Sequence, residues 1–277
     1  LLVIIGIVGL FILSYYYSPS TFSYLISPFI TGLSLFSDQT FYSNVNCFVS
    51  TDNPIKLCTY SDLFITDMNK KYKLLFDIDA KGATFPPRGI FNSQFDGNGK
   101  TIRNLKITGV GFFSGTNAGS EIKNVGIVNI SLISTANDVG ALVGGKTKGN
   151  VSKSYSSGKV QGNARVGGLV GQIFGSSGGV YQSYSEANIT GDKGLGGLVG
   201  KLDRGGRIND SYARGNVTSL AGSTNTRCGG LVGDFYDGTI TNSFSTGDVR
   251  CGTYSGGFCG RCLGTVTKSF YDLENVS

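Results

Sequence analysis

GGLVG stands at residues 167–171, 196–200 and 229–233, and related phrases stand at similar intervals on either side. They are GFFSG at 111–115, GALVG at 140–144 and GGFCG at 256–260. Successive phrases begin 29, 27, 29, 33 and 27 residues apart. A repeat of this period is typical of a solenoid, in which each unit buries its apolar face against its neighbours.

A second phrase follows each of the later copies and always contains an aromatic residue. It reads VSKSYSSGKV from Val151, VYQSYSEANI from Val180, INDSYARGNV from Ile208, ITNSFSTGDV from Ile240 and VTKSFYDLEN from Val266. Short β-branched runs separated by glycine indicate strands joined by tight corners, and no run is long enough for a helix. We therefore expect a mainly-β chain whose equivalent strands pair in parallel, ~4.8 Å apart.

Alternation within the second phrase predicts which side chains face outward. Ser183, Ser185 and Ala187 share one parity, and Tyr184 has the other. Side chains of a strand alternate between its faces, so the small residues should face inward and the rings outward. The predicted outer aromatic ladder consists of Tyr155, Tyr184, Tyr212, Phe244 and Phe270. In the alternative interpretation, a corner breaks the parity and these rings belong to the core.

The repeats, with the lead-in FDGNGKTIRNL at 95–105, resemble the GLUG-motif β-helices of microbial surface proteins. The resemblance implies a right-handed parallel β-helix (a solenoid) of about seven coils over roughly residues 60–277. Members of that family are adhesins, filament subunits and accessory regions of peptidases, so the resemblance leaves the function open. We also predict a short capping helix at 61–69, with Leu63 and Phe64 packed on the first coil.

The N-terminal segment carries no charged residue as far as position 37. LLVIIGIVGLFIL at 1–13 is continuously apolar, and SYYY at 14–17 adds an aromatic belt. A helix of about 17 residues spans ~25 Å, slightly less than the ~30 Å core of a bilayer. We therefore predict an apolar N-terminal α-helix within a segment formed by residues 1–36.

Three interpretations of this segment are open. A cleaved signal peptide is disfavoured because no Lys or Arg precedes the apolar run. A membrane anchor would hold the β-helix outside the cell. The third is a helix that bundles with its copies inside a filament, because the segment resembles the N-terminal helices of type IV pilin-like subunits of archaea and bacteria. Position 5 is Ile5, not the acidic residue usual in bacterial pilins, which favours an archaeal or unrelated filament.

In the filament interpretation, the partners of the chain are identical subunits in a helical homopolymer, and the segment contacts the membrane during biogenesis. The predicted assembly residues are Leu1, Ile4, Ile5, Val8, Phe11, Ile12 and Tyr15. Residues 37–60 are predicted to form a linker with a disulfide, or a strand that pairs with a neighbouring subunit. The β-helix is predicted over residues 61–277.

The chain has six cysteines and no histidine. An even number of cysteines indicates an oxidising compartment, and we expect the protein at the extracellular cell surface. The candidate disulfide cysteines are Cys47, Cys58, Cys228, Cys251, Cys259 and Cys262. Of the fifteen pairings that six cysteines allow, we expect Cys47–Cys58 and Cys228–Cys251 first. The CGRC sequence at 259–262 also fits a redox pair, although no helix start would lower a thiol pKa there.

Two further features concern the surface. N-x-S/T sequons stand at Asn129, Asn150, Asn188, Asn209, Asn216 and Asn275, and glycans at these sites would cover an extracellular rod. The net charge of +6 arises from 24 basic and 18 acidic residues. These charges form no basic stripe, so we expect no nucleic acid partner.

Some motifs resemble catalytic or metal sites. GALVGGKT at 140–147 fits the phosphate-loop pattern, but it is one copy of the repeat, and the helix that a phosphate loop requires is not expected. Asp77 and Asp79 with Gly82 partly fit a calcium loop, but Lys81 stands where a ligand oxygen is needed. No column of carboxylates runs along equivalent positions, and no histidine base is available. We therefore expect no enzyme activity, no cofactor and no metal, including zinc.

The favoured function is that of a structural subunit of an extracellular, pilus-like filament, with the β-helix as its outer surface. The alternative is a membrane-anchored cell-surface adhesin that binds carbohydrate or a protein partner through the aromatic ladder.

Overall fold

A computed structural model of the 277-residue chain describes residues 53–220 and 226–272. The predicted N-terminal helix with its assembly residues lies outside this part, as do Cys47 and Asn275. Within the described ranges, no helix is long and apolar enough to cross a membrane.

The described strands pair in parallel and form three sheets. The long sheet has 19 strands. They are β1 (Ile55–Leu57), β2 (Tyr72–Leu74), β3 (Ile78–Asp79), β4 (Thr84–Phe85), β6 (Gln94–Arg103), β7 (Lys106–Ile107), β9 (Glu121–Ile133), β12 (Asn150–Ser152), β13 (Tyr155–Gln161), β16 (Gly179–Tyr181), β17 (Tyr184–Gly191), β20 (Gly206–Asn209), β21 (Tyr212–Ala213), β22 (Val217–Ser219), β25 (Gly238–Thr241), β26 (Phe244–Ser245), β27 (Val249–Arg250), β30 (Thr265–Thr267) and β31 (Phe270–Tyr271).

The second and third sheets are smaller. The second sheet contains β5 (Ile90–Phe91), β8 (Gly115–Thr116), β11 (Val143–Thr147), β15 (Val170–Phe174), β19 (Val199–Asp203), β24 (Val232–Phe235) and β29 (Cys259–Cys262). The third sheet contains β10 (Val139–Gly140), β14 (Ala164–Gly167), β18 (Lys193–Gly196), β23 (Arg227–Gly229) and β28 (Tyr254–Gly256).

Equivalent strands of successive repeats pair in register. Val151 of β12 aligns with Val180 of β16, and Val180 aligns with Ile208 of β20. From β13 onward, the chain passes from the long sheet to the third sheet and then to the second sheet before it returns. This path is a β-solenoid of about seven coils, which confirms the predicted mainly-β solenoid.

The GGLVG phrase joins the third sheet to the second, and close contacts require its glycines. A Cβ added to Gly197 would lie 2.1 Å from the carbonyl oxygen of Gly230 and 2.8 Å from the Cβ of Ala213. The long sheet reaches this corner, because the Ser156 hydroxyl donates to the Gly168 carbonyl at 2.8 Å. The leucines between the glycines are fully buried, and each contributes roughly 1.5–3 kcal/mol. They are Leu142, Leu169, Leu198 and Leu231.

The core changes along the solenoid. In the first coils it is aromatic, and Phe85 stacks on Phe112 with ring centroids 4.7 Å apart and planes 3° from parallel. The later coils replace these rings with leucine and valine at the GGLVG corners. The aromatic residues buried in the first coils are Tyr72, Phe85, Phe91, Phe95, Phe112 and Phe113.

The first coil differs from the prediction of a helix at 61–69. The described helical structure there is one 3-10 turn, Ser61–Leu63. Leu63 and Ile65 are buried, whereas Phe64 between them is 40% exposed. This two-residue alternation is that of an extended chain, so the apolar residues enter the core without a capping α-helix.

The solenoid also begins earlier than predicted. Strand β1 lies within the predicted linker 37–60, and its Ile55 aligns with Tyr72 of β2. Asp62 fixes the turn that follows, because its carboxylate accepts the backbone N–H groups of Cys58 at 2.9 Å and Thr59 at 2.8 Å. Part of the predicted linker is therefore the first strand of the long sheet.

Candidate functional site

A corner between two strands of the long sheet positions each ring of the predicted aromatic ladder. Between β16 and β17, Gln182 has a left-handed φ of 49°. The next residue, Ser183, donates its hydroxyl to the carbonyl of Tyr181 at 2.7 Å and accepts the N–H of Ser154 at 3.1 Å. The hydroxyl thus satisfies a backbone donor of the preceding coil, which would be costly to bury alone.

The same serine recurs in five coils and forms a serine ladder. Each hydroxyl accepts a backbone N–H of the preceding coil at 3.1–3.3 Å and donates to the carbonyl two residues before it. The members are Ser154, Ser183, Ser211, Ser243 and Ser269. The ladder therefore links the coils immediately beside the aromatic rings.

The five aromatic side chains stack in register on the outer side of the long sheet. The ring of Tyr155 lies 4.8 Å from that of Tyr184, and Tyr184 lies 4.7 Å from Tyr212. The stack continues to Phe244 at 4.9 Å and to Phe270 at 5.3 Å. All neighbouring planes are within 8° of parallel. The spacing is within the range of favourable offset aromatic stacking.

The residues around the rings follow the strand alternation. On β17, Ser185 and Ala187 are fully buried, whereas Glu186 and Asn188 are exposed. Tyr184 itself is half-buried, since its faces are covered by the neighbouring rings.

The ends of the aromatic ladder differ. Tyr155 lies over Gly126, where a Cβ would be 2.5 Å from the ring Cζ, so the first ring is covered by backbone. Phe270 is 63% exposed and is the last ring of the stack within the described residues. Over the described residues, the ladder therefore offers ring edges and tyrosine hydroxyls along its length and an exposed ring at Phe270.

Charged neighbours act on the middle of the ladder. The guanidinium carbon of Arg214 lies 4.8 Å from the centroid of the Tyr212 ring, and its Nη1 lies 3.9 Å from a carboxylate oxygen of Glu186. Burial raises the pKa of Tyr184 above its usual value, and the adjacent tyrosines add to this. Burial also raises the pKa of Tyr212, against the opposing effect of Arg214. Both hydroxyls are therefore neutral donors and acceptors at neutral pH.

The sequon asparagines of the described residues lie at the surface, but their side chains differ. Asn129 is exposed and donates to the Oδ1 of Asn104 at 2.7 Å, and half-buried Asn209 donates to Asp210 at 2.7 Å. Asn150 is exposed. Glycosylation of Asn129 or Asn209 would therefore replace a donor that is already engaged.

Two further sequons stand side by side on neighbouring coils. Asn188 Oδ1 accepts the backbone N–H of Asn216 at 3.1 Å, and Asn216 Oδ1 accepts that of Asp248 at 3.2 Å. Both asparagines are exposed. Their oxygens are thus used between coils, which leaves the amide nitrogens on the outer side.

The described cysteines are disulfide-bonded. Cys228 bonds Cys251 across 23 residues, and Cys259 bonds Cys262. Closing a loop of about 23 residues stabilises the folded chain by about 3 kcal/mol. Cys58 is also disulfide-bonded, and Cys47, its predicted partner, lies outside the described residues. The CGRC sequence lies on strand β29 and not at a helix start.

The phosphate-loop pattern at 140–147 belongs to two strands. It begins at the end of β10, turns through the leucine corner and continues as β11 to Thr147. Lys146 lies with its Nζ 4.7 Å from the centroid of the Phe174 ring. No helix N-terminus faces this stretch within the described chain, so the geometry of a phosphate loop is not formed.

The carboxylates of Asp77 and Asp79, near Gly82, accept hydrogen bonds from residues of the next coil. Asp79 Oδ1 accepts from Asn104 at 2.8 Å and from the N–H of Lys81 at 2.9 Å, and both contacts lower the pKa of Asp79. Asp77 accepts the backbone N–H of Thr101 at 2.7 Å, which lowers its pKa. Residues 53–220 and 226–272 contain no group of three or more side chains placed to hold a metal ion.

The structure reveals a cation–aromatic face on the second sheet that was not predicted. Lys201 and Arg261 lie 4.6 Å and 3.5 Å from the centroid of the Tyr236 ring. Lys146 and Arg204 contact Phe174 in the same way, at 4.7 Å and 4.5 Å. Within this face, buried Asp234 accepts from Arg261 at 2.7 Å and from Arg227 at 3.1 Å. The sequence carries part of this signal, because Lys201 and Tyr236 are the first and third residues after their GGLVG phrases, whereas a register shift aligns Lys146, the second residue after GALVG, with Gln172.

A known protein family matches one of the repeats of this chain. The GLUG motif matches residues 191–218, which contain β18, β19, β20 and β21. This chain is a β-solenoid that carries the GLUG motif. The matched stretch contains the GGLVG phrase at 196–200 and the strand that leads to Tyr212.

One protein sequence and two solved structures are similar to larger parts of this chain. Halomucin of Haloquadratum walsbyi (strain DSM 16790 / HBSQ001) is 34% identical over an alignment of 146 residues, and the match covers 43% of this chain and 2% of halomucin. A solved structure of a putative immunoglobulin A1 protease from Bacteroides ovatus has a TM-score of 0.63 and 22% identity, over 79% of this chain and 76% of that chain. A structure described as IgA1 protease has a TM-score of 0.52 and 18% identity, over 79% of this chain and 22% of that chain. At these identities, the two structures show the fold alone.

Proposed function

We propose that this chain is a structural protein of the extracellular cell surface, in which the solenoid is a scaffold. The observation that carries this proposal is the uninterrupted stack of rings from Tyr155 to Phe270, which lies beside the serine ladder. Aromatic and hydrogen-bonded contacts thus join five successive coils at one edge. Such a stack uses the faces of its rings to hold the coils together and leaves few of them for a ligand.

The extracellular assignment rests on cysteine chemistry and on one relative. Disulfides such as Cys228–Cys251 persist in oxidising compartments and are rare in the cytosol. Exposed sequon asparagines on the outer side, such as Asn188 and Asn216, are compatible with glycosylation. The similarity to halomucin, whose name describes a mucin, agrees with a place at the cell surface.

The filament role is the finer part of the proposal. Residues 1–36 would join copies into a pilus-like homopolymer, with the solenoid forming its outer layer. The sequence of this segment supports such a role, since the segment has no charge and its first 13 residues are apolar. Burial of side chains such as Leu1, Ile5 and Phe11 between copies would contribute roughly 1.5–3 kcal/mol each.

A membrane-anchored adhesin is the competing function. Sugar rings commonly bind on open aromatic faces, and the ladder has one at Phe270, which is 63% exposed. The faces of Tyr184 and Tyr212 are covered by their neighbours. Within the described residues, a carbohydrate would therefore find one stacking position on this ladder, which favours the structural role over the adhesive one.

Removal of residues 1–17 separates the two functions. We expect the shortened chain to sediment as a monomer while its β-solenoid stays folded by circular dichroism. The 277-residue chain is expected to form large assemblies under the same conditions. A 277-residue chain that remains monomeric in the absence of detergent would overturn the filament role. Saturable binding of a surface carbohydrate by the shortened chain, lost on Phe270→Ala, would support the adhesin instead.

A further inference from the structure

Arg88 lies in the first coils against two aromatic rings, Phe64 and Phe85, which meet edge to face with centroids 5.8 Å apart. Its guanidinium carbon is 4.8 Å from the centroid of the Phe64 ring and 4.8 Å from that of the Phe85 ring. Phe85 is fully buried and stacked on Phe112, so one ring of this pair is fixed by the core. Both rings thus contact the guanidinium group, from adjoining directions.

One edge of this guanidinium group has no partner. Nη1 donates to the carbonyl of Ile65 at 3.3 Å. Nε and Nη2 are buried and have no hydrogen-bond acceptor, and no ion pair within the described residues includes Arg88. The N–H bonds of Nε and Nη2 point in the same direction, and this fork matches the two oxygens of a carboxylate.

Arg165 of the same solenoid shows what such an edge binds. Its Nε and Nη2 donate to the two carboxylate oxygens of Asp138 at 2.5 Å and 2.9 Å. The hydrogen bond with Asp138 raises the pKa of Arg165, whereas burial lowers the pKa of Arg88. These opposite directions are those of a paired and an unpaired cation.

We propose that the Nε–Nη2 edge of Arg88 is a binding site for a ligand carboxylate attached to an apolar group. A carboxylate carries one negative charge and balances the single charge of Arg88. A sulfate or phosphate dianion would leave an excess negative charge in a place with one cation, at a large desolvation cost. Phe64 is 40% exposed, so a ligand reaches the edge by displacing one surface ring and packs its apolar part against it.

A carboxylate attached to an apolar group occurs both in small organic acids and at the C-terminus of a peptide. Benzoate represents the first source, and N-acetylphenylalanine represents the second. Benzamide is a neutral control of the same shape as benzoate, and sodium sulfate tests the preference for a single charge. Each compound is titrated into the 277-residue chain by calorimetry, and the side-chain Nε–Hε resonance of Arg88 is followed by NMR.

We expect saturable binding of at least one carboxylate, with a shift of the Arg88 resonance, and at least tenfold weaker binding of benzamide and sulfate. The tighter of the two carboxylates identifies the source. Arg88→Gln should weaken carboxylate binding at least tenfold. Arg88→Lys, which keeps the charge but lacks the fork, should also weaken it. Arg214→Gln, which changes an exposed arginine on the Tyr212 ring, should leave the affinity unchanged.

The absence of saturable carboxylate binding by the wild-type chain would overturn the site. Equal affinity for benzamide would overturn it as well, and this comparison requires no variant to fold. Equal affinity in a folded Arg88→Lys variant would show that the fork is not used. Sulfate binding as tight as that of the carboxylates would contradict the assignment of a monoanion.

Discussion

Tyr184 and Tyr212 lie face to face, with ring centroids 4.7 Å apart and planes 3° from parallel. They are also register partners on neighbouring coils, since Tyr184 of β17 aligns with Tyr212 of β21. The distance between their strands therefore equals the distance at which rings stack, ~4.8 Å. A position that repeats an aromatic residue in every coil thereby becomes a continuous column.

A ring in the middle of this column should stabilise the fold more than a ring at its end. Tyr184→Ala removes two stacked contacts, each worth about 0.5–1.5 kcal/mol beyond buried area. We expect the free energy of unfolding, measured by urea titration, to fall by about 2–3 kcal/mol. Phe270→Ala removes one contact of an exposed ring and should cost about 1 kcal/mol or less. Equal losses in the two variants would contradict a cooperative column.

The serine ladder predicts a second loss of stability, independent of the aromatic column. Ser183→Ala removes the acceptor of the Ser154 N–H, which then remains buried without a partner. We expect the free energy of unfolding to fall by about 1–3 kcal/mol. The control is Ser176→Ala, an exposed serine in a turn, which should change it by less than about 0.5 kcal/mol. An unchanged free energy of unfolding in the Ser183→Ala variant would contradict this role and show that water replaces the hydroxyl.

The GGLVG corner should not accept a methyl group. In Gly197→Ala, the new Cβ meets the carbonyl oxygen of Gly230, which belongs to the backbone and cannot move aside. We expect a loss of about 3 kcal/mol or more, or failure to fold. Gly99→Ala is the matched control, because no atom lies within 4 Å of the added Cβ although φ is +73°. It should cost about 1–2 kcal/mol through backbone strain alone. Similar thermal unfolding midpoints of the two variants would contradict the tight corner.

The tyrosines of the ladder predict a loss of stability in alkali. Burial raises the pKa of Tyr184 and Tyr212 above 10.0, so the folded chain holds these protons more tightly than the unfolded chain. The resulting stability is complete below pH 10.0 and is lost as the pH rises through the higher folded-state pKa. We expect the urea midpoint to fall above this pH, and to fall less in a variant with Tyr184→Phe and Tyr212→Phe. An identical alkaline decline in both proteins would exclude the ladder as its source.

Much of this arrangement could be predicted from the sequence, because the repeat fixes the register. Once equivalent residues are known to pair, the parity of Ser183 and Tyr184 places one side chain inside and the other outside. The role of the Ser183 hydroxyl could not be predicted. It depends on the left-handed conformation of Gln182, and glutamine has no particular preference for that conformation.

The first coil was harder to predict for a physical reason. Leu63 and Phe64 fit a helix that begins at Ser61 as well as they fit an extended chain, because a short apolar run does not determine its own period. The contact of Leu63 and Ile65 with the core decides between the two. Arg88 could not be recognised either, since its unpaired edge becomes visible only when Phe64 and Phe85 meet across the fold.

Electron microscopy of purified surface material, with an antibody against the solenoid, tests the central claim most directly. The structural role predicts regular fibres with antibody along their whole length, because the solenoid forms the outer layer. Antibody on smooth membrane with no labelled fibres would contradict the filament and leave the anchored form of the protein.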